Sequence, residues 1–369
     1  MKNCILYVMG MDSTKYGGIE RLNVALASSL REIGYTSVFV YESYPECEEF
    51  VNDLSQAGGT LIVCNSRRNK LGFVLRMAAI LLKYKPIVVH AHFTKARFYA
   101  LPLAHLMGIR RLYFTMHGEP KASETIKKHT FKWYQWANKK TQVITVSDRI
   151  KEQYLSIWPE ASPRRVYLGV APIEGGMESS RSTLGIPTNQ TMVLTIANFN
   201  HIKGLDILCD AIEQLKNENR LDDVHFYIVG QPEQDMRHLD EIAQQKGIAP
   251  HLHLIGISNQ VALYLTAANI YVQPSRSEGL PLTLMEAASA GLPLIGTTVG
   301  GIPEIIHHER NGILVNPEDS VQLADAINLM LQDCVLRDNY GKTSRVVYQN
   351  DFSIESSINH LIELYHIVP

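Results

Sequence analysis

Short apolar runs alternate with longer segments of helical period along most of the chain. In the first half the runs are CILYVM, SVFVY, TLIVC, IVVH, LYFTM and VITVS, with a helix expected from about Ile19 to Ile33 and further helical stretches between most of the other runs. The rhythm restarts at MVLTIA and continues through HFYIVG, LHLIG, IYVQP, LPLIGT and GILV. Strands that are almost continuously apolar and separated by helices imply parallel sheets covered on both faces. The fold class is therefore α/β, with two parallel sheets. The stretch 171–190, rich in Gly, Ser, Thr and Pro and without periodicity, reads as a linker between domains spanning 1–170 and 191–350. The remaining residues, 351–369, read as a closing helix that could pack back on the first domain.

Length agrees with this division, since single cores stop growing near 250–300 residues and the chain has 369. Hydrophobic residues make up 46% and charged residues 20%, an ordinary globular balance that excludes disorder and fibrous folds. The first run, MKNCILYVMG, is short and β-prone and reads as a strand rather than a leader. No uninterrupted apolar stretch approaches the ~18 residues of a membrane span. Five cysteines without a Cys-x-x-Cys pair fit reduced thiols in a cytoplasmic setting. The net charge of −2 conceals an asymmetry. Residues 1–180 carry 24 basic against 15 acidic side chains, and the rest carry 11 against 22. A basic half suggests contact with something anionic, such as phosphates or the inner face of a plasma membrane. No recognisable nucleic-acid reader module is present.

Open parallel sheets bind ligands beyond the carboxyl ends of their strands, so candidate residues are sought there. SEGLPLTLME (277–286) follows the strand IYVQPS, turns at Gly279, Leu280 and Pro281, and enters the helix LTLMEAASA. The amides of Leu282 and Thr283 in the first helical turn could hold a diphosphate. Glu278 on the loop and Glu286 on the helix would then touch different parts of one extended ligand.

This stretch, with the GLPLIGTTVGGIPEII that follows it, resembles the signature of the retaining glycosyltransferases of family 4, which have the GT-B fold of two facing Rossmann-like domains. The resemblance implies that Glu278 contacts donor-sugar hydroxyls and that Glu286 accepts from the nucleotide ribose. YGGIER (16–21) resembles the family's glycine loop, placing Gly17 and Gly18 near the donor phosphate. Within the same resemblance Glu20 and His92 fall on the acceptor side, and His117, in TMHG, contacts the transferred sugar. Lys203, in NHIKGLD, resembles the lysine that neutralises the leaving diphosphate. Asn198 stands where the family commonly has Arg, which removes one cation; Arg276 is a nearby candidate to replace it. Gly230 and Ile257, at two strand ends, would frame the nucleobase.

A zinc site of His90, His92 and His117 is disfavoured, because no carboxylate or cysteine lies beside them at ligand spacing. No Asp-x-Asp pair occurs either, so a metal-independent reaction with no cofactor is expected. The implied activity is transfer of a sugar from a nucleoside diphosphate sugar, with UDP favoured over GDP, to a glycan or polyprenyl-linked hydroxyl in polysaccharide synthesis. An epimerase or hydrolase of nucleotide sugars and a noncatalytic binding protein stay open as alternatives. A dehydrogenase is the weakest, since no Gly-x-Gly-x-x-Gly follows either first strand. RRNKLGFVLRMAAILLKYKP (67–86) and KKHTFKWYQWANKK (127–140) combine cations with apolar or aromatic residues. They read either as sheet-covering helices or as peripheral contacts with an anionic membrane.

Overall fold

A computed structural model of the protein describes residues 3–14, 16–65, 70–118, 139–231 and 236–367. Residues 67–69 and all of the segment 127–140 except Lys139 and Lys140 lie outside them. The chain divides into two compact units, Met1–Val170 with Ile354–Pro369, and Ala171–Ser353.

The first unit contains a parallel sheet of seven strands: β1 (Asn3–Val8), β2 (Tyr35–Tyr41), β3 (Gly59–Val63), β4 (Val88–His92), β5 (Arg111–Met116), β6 (Gln142–Thr145) and the two-residue β7 (Arg164–Arg165). Their order is β3-β2-β1-β4-β5-β6-β7. Side chains of successive strand residues leave opposite faces. Ile5, Tyr7, Phe39 and Tyr41 pack beneath the helices Gly18–Glu32 and Glu48–Gln56, through Leu22, Leu26, Phe50 and Leu54. Leu6, Val8, Val38 and Val40 face the other layer, which includes Phe73 and Met77 of the helix Lys70–Tyr84.

The second unit has six parallel strands: β8 (Thr191–Ile196), β9 (Val224–Val229), β10 (Leu252–Gly256), β11 (Ile270–Gln273), β12 (Leu294–Thr297) and β13 (Gly312–Val315), in the order β10-β9-β8-β11-β12-β13. Strand order reverses direction between β1 and β4 in the first sheet and between β8 and β11 in the second. Those switch points open a crevice at the carboxyl edge of each sheet.

The stretch 171–190 is not a separate linker. It belongs to the second unit and contains the helix Met177–Leu184, closed by Gly185 in the left-handed conformation. Its anchor is polar, which is why hydrophobic periodicity misses it. Arg181, 3% exposed, donates to the carbonyls of Ala267, Thr188 and Gln190 and to Asn269 Oδ1. The closing helix, Ile354–Leu364, groups with the first unit. Ser357 Oγ donates to the Tyr167 carbonyl at 2.6 Å and Tyr113 Oη to the Leu364 carbonyl at 2.8 Å. Tyr365 lies 2.5 Å from His90 Nδ1.

Candidate functional site

In the second unit two loops meet at the switch point. After β8 the chain passes Ala197 and the exposed Asn198, then makes the short 3-10 turn His201–Lys203 and reaches Gly204. Gly204 has φ +65°, and a Cβ there would sit 2.0 Å from the Pro274 carbonyl oxygen. Only glycine lets this turn lie against the end of β11. Lys203 is thereby aimed at the loop after β11, and its Nζ donates to Glu278 Oε1 at 2.8 Å. The same oxygen accepts from Ser275 Oγ at 2.7 Å and Gln273 Nε2 at 2.9 Å. Gln273 is itself held, because its Oε1 accepts from Tyr271 Oη at 2.9 Å. The Glu278 side chain is 7% exposed. Among the described residues none donates to its Oε2.

Two glycines absent from the sequence-level candidates brace this loop. A Cβ on Gly300, whose φ is +58°, would meet the Glu278 carbonyl oxygen at 2.0 Å. Gly301 N donates to the Gly279 carbonyl at 2.7 Å. The hint was the Gly-Gly pair itself, but its partner lies some twenty residues away. Gly300→Ala is expected to displace the 278–280 loop, to cost about 1–3 kcal/mol through backbone strain, and to weaken nucleotide binding. Thermal melts with and without nucleotide would show both losses, and a wild-type response would contradict the bracing role.

Beyond Gly279 and Leu280 the helix Leu282–Ser289 starts at Pro281, with no side-chain cap. Leu284 N and Met285 N donate to the Pro281 carbonyl at 3.2 and 3.3 Å, whereas the amides of Leu282 and Thr283, ahead of them, have no carbonyl within the helix to bond and could hold an anion. Glu286 is half-buried one turn further on. Gly230 belongs to the same edge, since a Cβ on it would meet the Ala197 carbonyl oxygen at 1.9 Å. Ile257, after β10 and 73% exposed, sits one strand further out.

Arg276 is no substitute for the cation missing at Asn198. Its guanidinium forks onto Asp206 with two 2.7 Å bonds, reaches Glu318 at 2.5 and 3.0 Å, and donates to the His201 carbonyl. Burial alone would raise the Asp206 pKa, but the bonds from Arg276 outweigh it and hold that carboxyl below its ordinary value.

In the first unit the loop after β1 leads to Gly17, which starts the helix Gly18–Glu32. Glu20 is 4% exposed, and both its oxygens are engaged, by Ser13 Oγ at 2.8 Å and Gly17 N at 3.1 Å. Its observed contacts therefore fix the glycine loop, and an acceptor would have to displace one of them. His90 is a core residue between Tyr365 and Thr115. His92 and His117, at the ends of adjacent strands β4 and β5, come together, with Nδ1 of the first 2.9 Å from Nε2 of the second. Their other ring nitrogens, His92 Nε2 and His117 Nδ1, are buried and have no partner among the described residues. Phe93 stacks on His117 and has φ +63°, a costly conformation for an aromatic residue. Burial pushes His117 down to about 4 and His90 to about 3; His92 is pushed well below its ordinary value by burial and by its two neighbours. All three imidazoles are thus neutral near pH 7. No metal-ligating group of three or more His, Cys, Asp or Glu occurs among the described residues.

A family model described as Glycosyltransferase Family 4 matches residues 16–172, and one described as Glycosyl transferases group 1 matches residues 190–333. The chain is a family 4 glycosyltransferase. The glycosyltransferase is 26% identical over 310 residues to the Escherichia coli UDP-Gal:alpha-D-GlcNAc-diphosphoundecaprenol alpha-1,3-galactosyltransferase, covering 79% of this chain and 78% of that one. It is 28% identical to an uncharacterized glycosyltransferase of Methanocaldococcus jannaschii, over 61% of this chain and 60% of that protein's length. A Bacillus anthracis N-acetyl-alpha-D-glucosaminyl L-malate synthase is 27% identical over 52% of this chain and 49% of its own length. Among solved structures, a Rickettsia africae glycosyltransferase superposes with a TM-score of 0.82 at 21% identity, covering 99% and 98% of the two chains. Anabaena HepE in complex with UDP follows with 0.80 at 20% identity, covering 98% and 99%. Two Rossmann-like units with parallel sheets make this glycosyltransferase a GT-B protein.

Proposed function

We propose that the glycosyltransferase moves a sugar from a UDP-sugar to a hydroxyl of a glycan or lipid-linked acceptor, with retention at the anomeric carbon and without a metal. The carrying observation is the convergence of Lys203, Ser275 and Gln273 on one oxygen of Glu278 at the β8/β11 switch point. A buried carboxylate held from one side and open on the other can orient sugar hydroxyls, and an ammonium beside it can neutralise a leaving diphosphate. In this reading the bond from the anomeric carbon to the diphosphate oxygen breaks as the acceptor oxygen bonds to the same face of that carbon. The acceptor proton passes to the departing phosphate. Glu286 takes the ribose, Gly230 and Ile257 flank the base, and His117 contacts the transferred sugar. The uridine choice and the lipid-linked acceptor rest on the similarity to HepE, solved in complex with UDP and with UDP-glucose, and to the Escherichia coli diphosphoundecaprenol galactosyltransferase.

Thermal shifts with UDP, GDP, ADP and TDP test the donor site. Saturating UDP, at a hundred times its dissociation constant, is expected to add about 2.7 kcal/mol, visible as several degrees. The shift should be the same with Mg²⁺ or with EDTA. A response to none of the four nucleotides would favour a noncatalytic binding protein, in which Asn198 and the engaged Arg276 have left too little charge for the diphosphate. Product analysis by NMR then checks retention, and conversion of the donor without acceptor would favour an epimerase or hydrolase.

A further inference from the structure

One helix of the first unit turns leucines to both sides. In Lys70–Tyr84, Phe73, Met77 and Leu81 enter the core, while Leu71, Leu75 and Leu82 are 68%, 62% and 63% exposed. At 3.6 residues per turn these three outward leucines fall within about 40° of one another, a continuous apolar stripe where a surface helix is ordinarily polar. The helix follows β3 and precedes β4, so it runs antiparallel to the strands. Leu71 lies at the carboxyl edge of the sheet, the edge that carries His92 and His117, and Leu82 at the opposite edge.

The sequence around this stripe carries charge of one sign. From Leu54 to Gly118 the sequence contains ten Lys and Arg and no Asp or Glu. Arg76, Lys83 and Lys85 are exposed on or just after the helix. Leu82 and Lys85 border a cavity of about 550 Å³ that Arg110 and Arg111 also line. The same two arginines continue into a cavity of about 1060 Å³ with Lys139 and Lys140, where Glu160 is the acidic residue among the lining.

We propose that this face docks on an anionic lipid bilayer, with Leu71, Leu75 and Leu82 entering the headgroup boundary and Arg76, Lys83, Lys85, Arg110 and Arg111 meeting lipid phosphates. Apolar side chains flanked by long cationic ones suit an interface that is apolar beneath and anionic above. A second copy of the chain would bring like charge against like charge, which disfavours self-association through this stripe. The inference is independent of the donor chemistry, because the stabilisation by UDP is read from the other unit.

Flotation of the whole chain with vesicles decides it. Binding is expected to vesicles of equal phosphatidylglycerol and phosphatidylcholine at low salt, to weaken at high salt, and to be absent with phosphatidylcholine alone. Leu71→Ser/Leu75→Ser/Leu82→Ser should lower the bound fraction at least about tenfold, and Arg110→Gln/Arg111→Gln about tenfold or more. Both variants should keep the wild-type melting temperature and the wild-type response to UDP. The proposal is overturned if the wild type does not float with the anionic vesicles, if it binds neutral vesicles equally, or if the triple variant floats like the wild type. A wild-type dimer that the triple variant converts to monomer would reassign the stripe to self-association.

Discussion

Lys203→Ala is expected to lower sugar transfer about 10²–10³-fold, the usual consequence of removing one preorganised charge-stabilising donor. Glu278→Gln should lose at least as much. The physical case for Lys203 is sharpened by its surroundings. Asn198 carries no charge where the family commonly has Arg, and the Arg276 guanidinium is fully engaged by Asp206, Glu318 and a carbonyl. In the proposed reaction the leaving diphosphate then relies on Lys203 and on helix amides. Glu278→Gln tests a different component, since Gln is nearly isosteric and removes the charge while changing the hydrogen-bond pattern toward Ser275 and Gln273. Because Lys203 and Glu278 are an ion pair, the two substitutions should not be additive. Lys203→Ala also leaves the Glu278 carboxylate with neutral donors, at a stability cost of about 1–2 kcal/mol, less than for a fully buried pair because the Lys203 side chain is 24% exposed. Steady-state kinetics and melts of both single variants and the double variant would separate these effects. Wild-type rates in both single variants would remove the catalytic assignment.

The architecture was largely legible in the chain because parallel sheets leave a simple trace, apolar runs at helix-length intervals. The loop after β11 was legible for a related reason: strand, turn and helix there are contiguous, so Glu278 and the amides of Leu282 and Thr283 are placed by local geometry. What escaped was set by partners distant in sequence. Arg276 read as a spare cation because Asp206 and Glu318 are 70 and 42 residues away from it. Gly300 is significant only once the Glu278 carbonyl is known to press against it. The Met177–Leu184 helix escaped because a buried arginine bonding to carbonyls replaces the apolar stripe that periodicity detects. His92 and His117 are 25 residues apart in the chain, and their pairing follows from strand register, with His92 opposite Thr115 on β5.

Acid should unfold the first unit at a mildly low pH, through the same histidines. In an unfolded chain each imidazole titrates near pH 6.5. In the folded protein His117 is held near 4 and His90 near 3 by burial, and His92 is held well below its ordinary value. Between those limits the unfolded state binds protons that the folded state excludes, so stability rises with pH. It is fully present above about pH 6.5 and is lost as the pH falls toward the folded values. Each histidine contributes a slope of about 1.4 kcal/mol per pH unit, and three acting together about 4. Against a typical total of about 5–15 kcal/mol, a fall of one to two pH units removes much of the reserve. His225 and His253 in the second unit are also lowered by burial and act in the same direction. Calorimetry from pH 8 to pH 4.5 should therefore show a melting temperature that is level down to about 6.5 and then drops steeply, well before carboxylate protonation dominates. His90→Gln should lower stability at pH 8, because Tyr365 and Thr115 lose a fitted partner, yet remove about a third of the acid slope. A melting temperature that stays level from pH 8 to pH 5, or an unchanged slope in His90→Gln, would mean that these imidazoles are not held neutral by the fold.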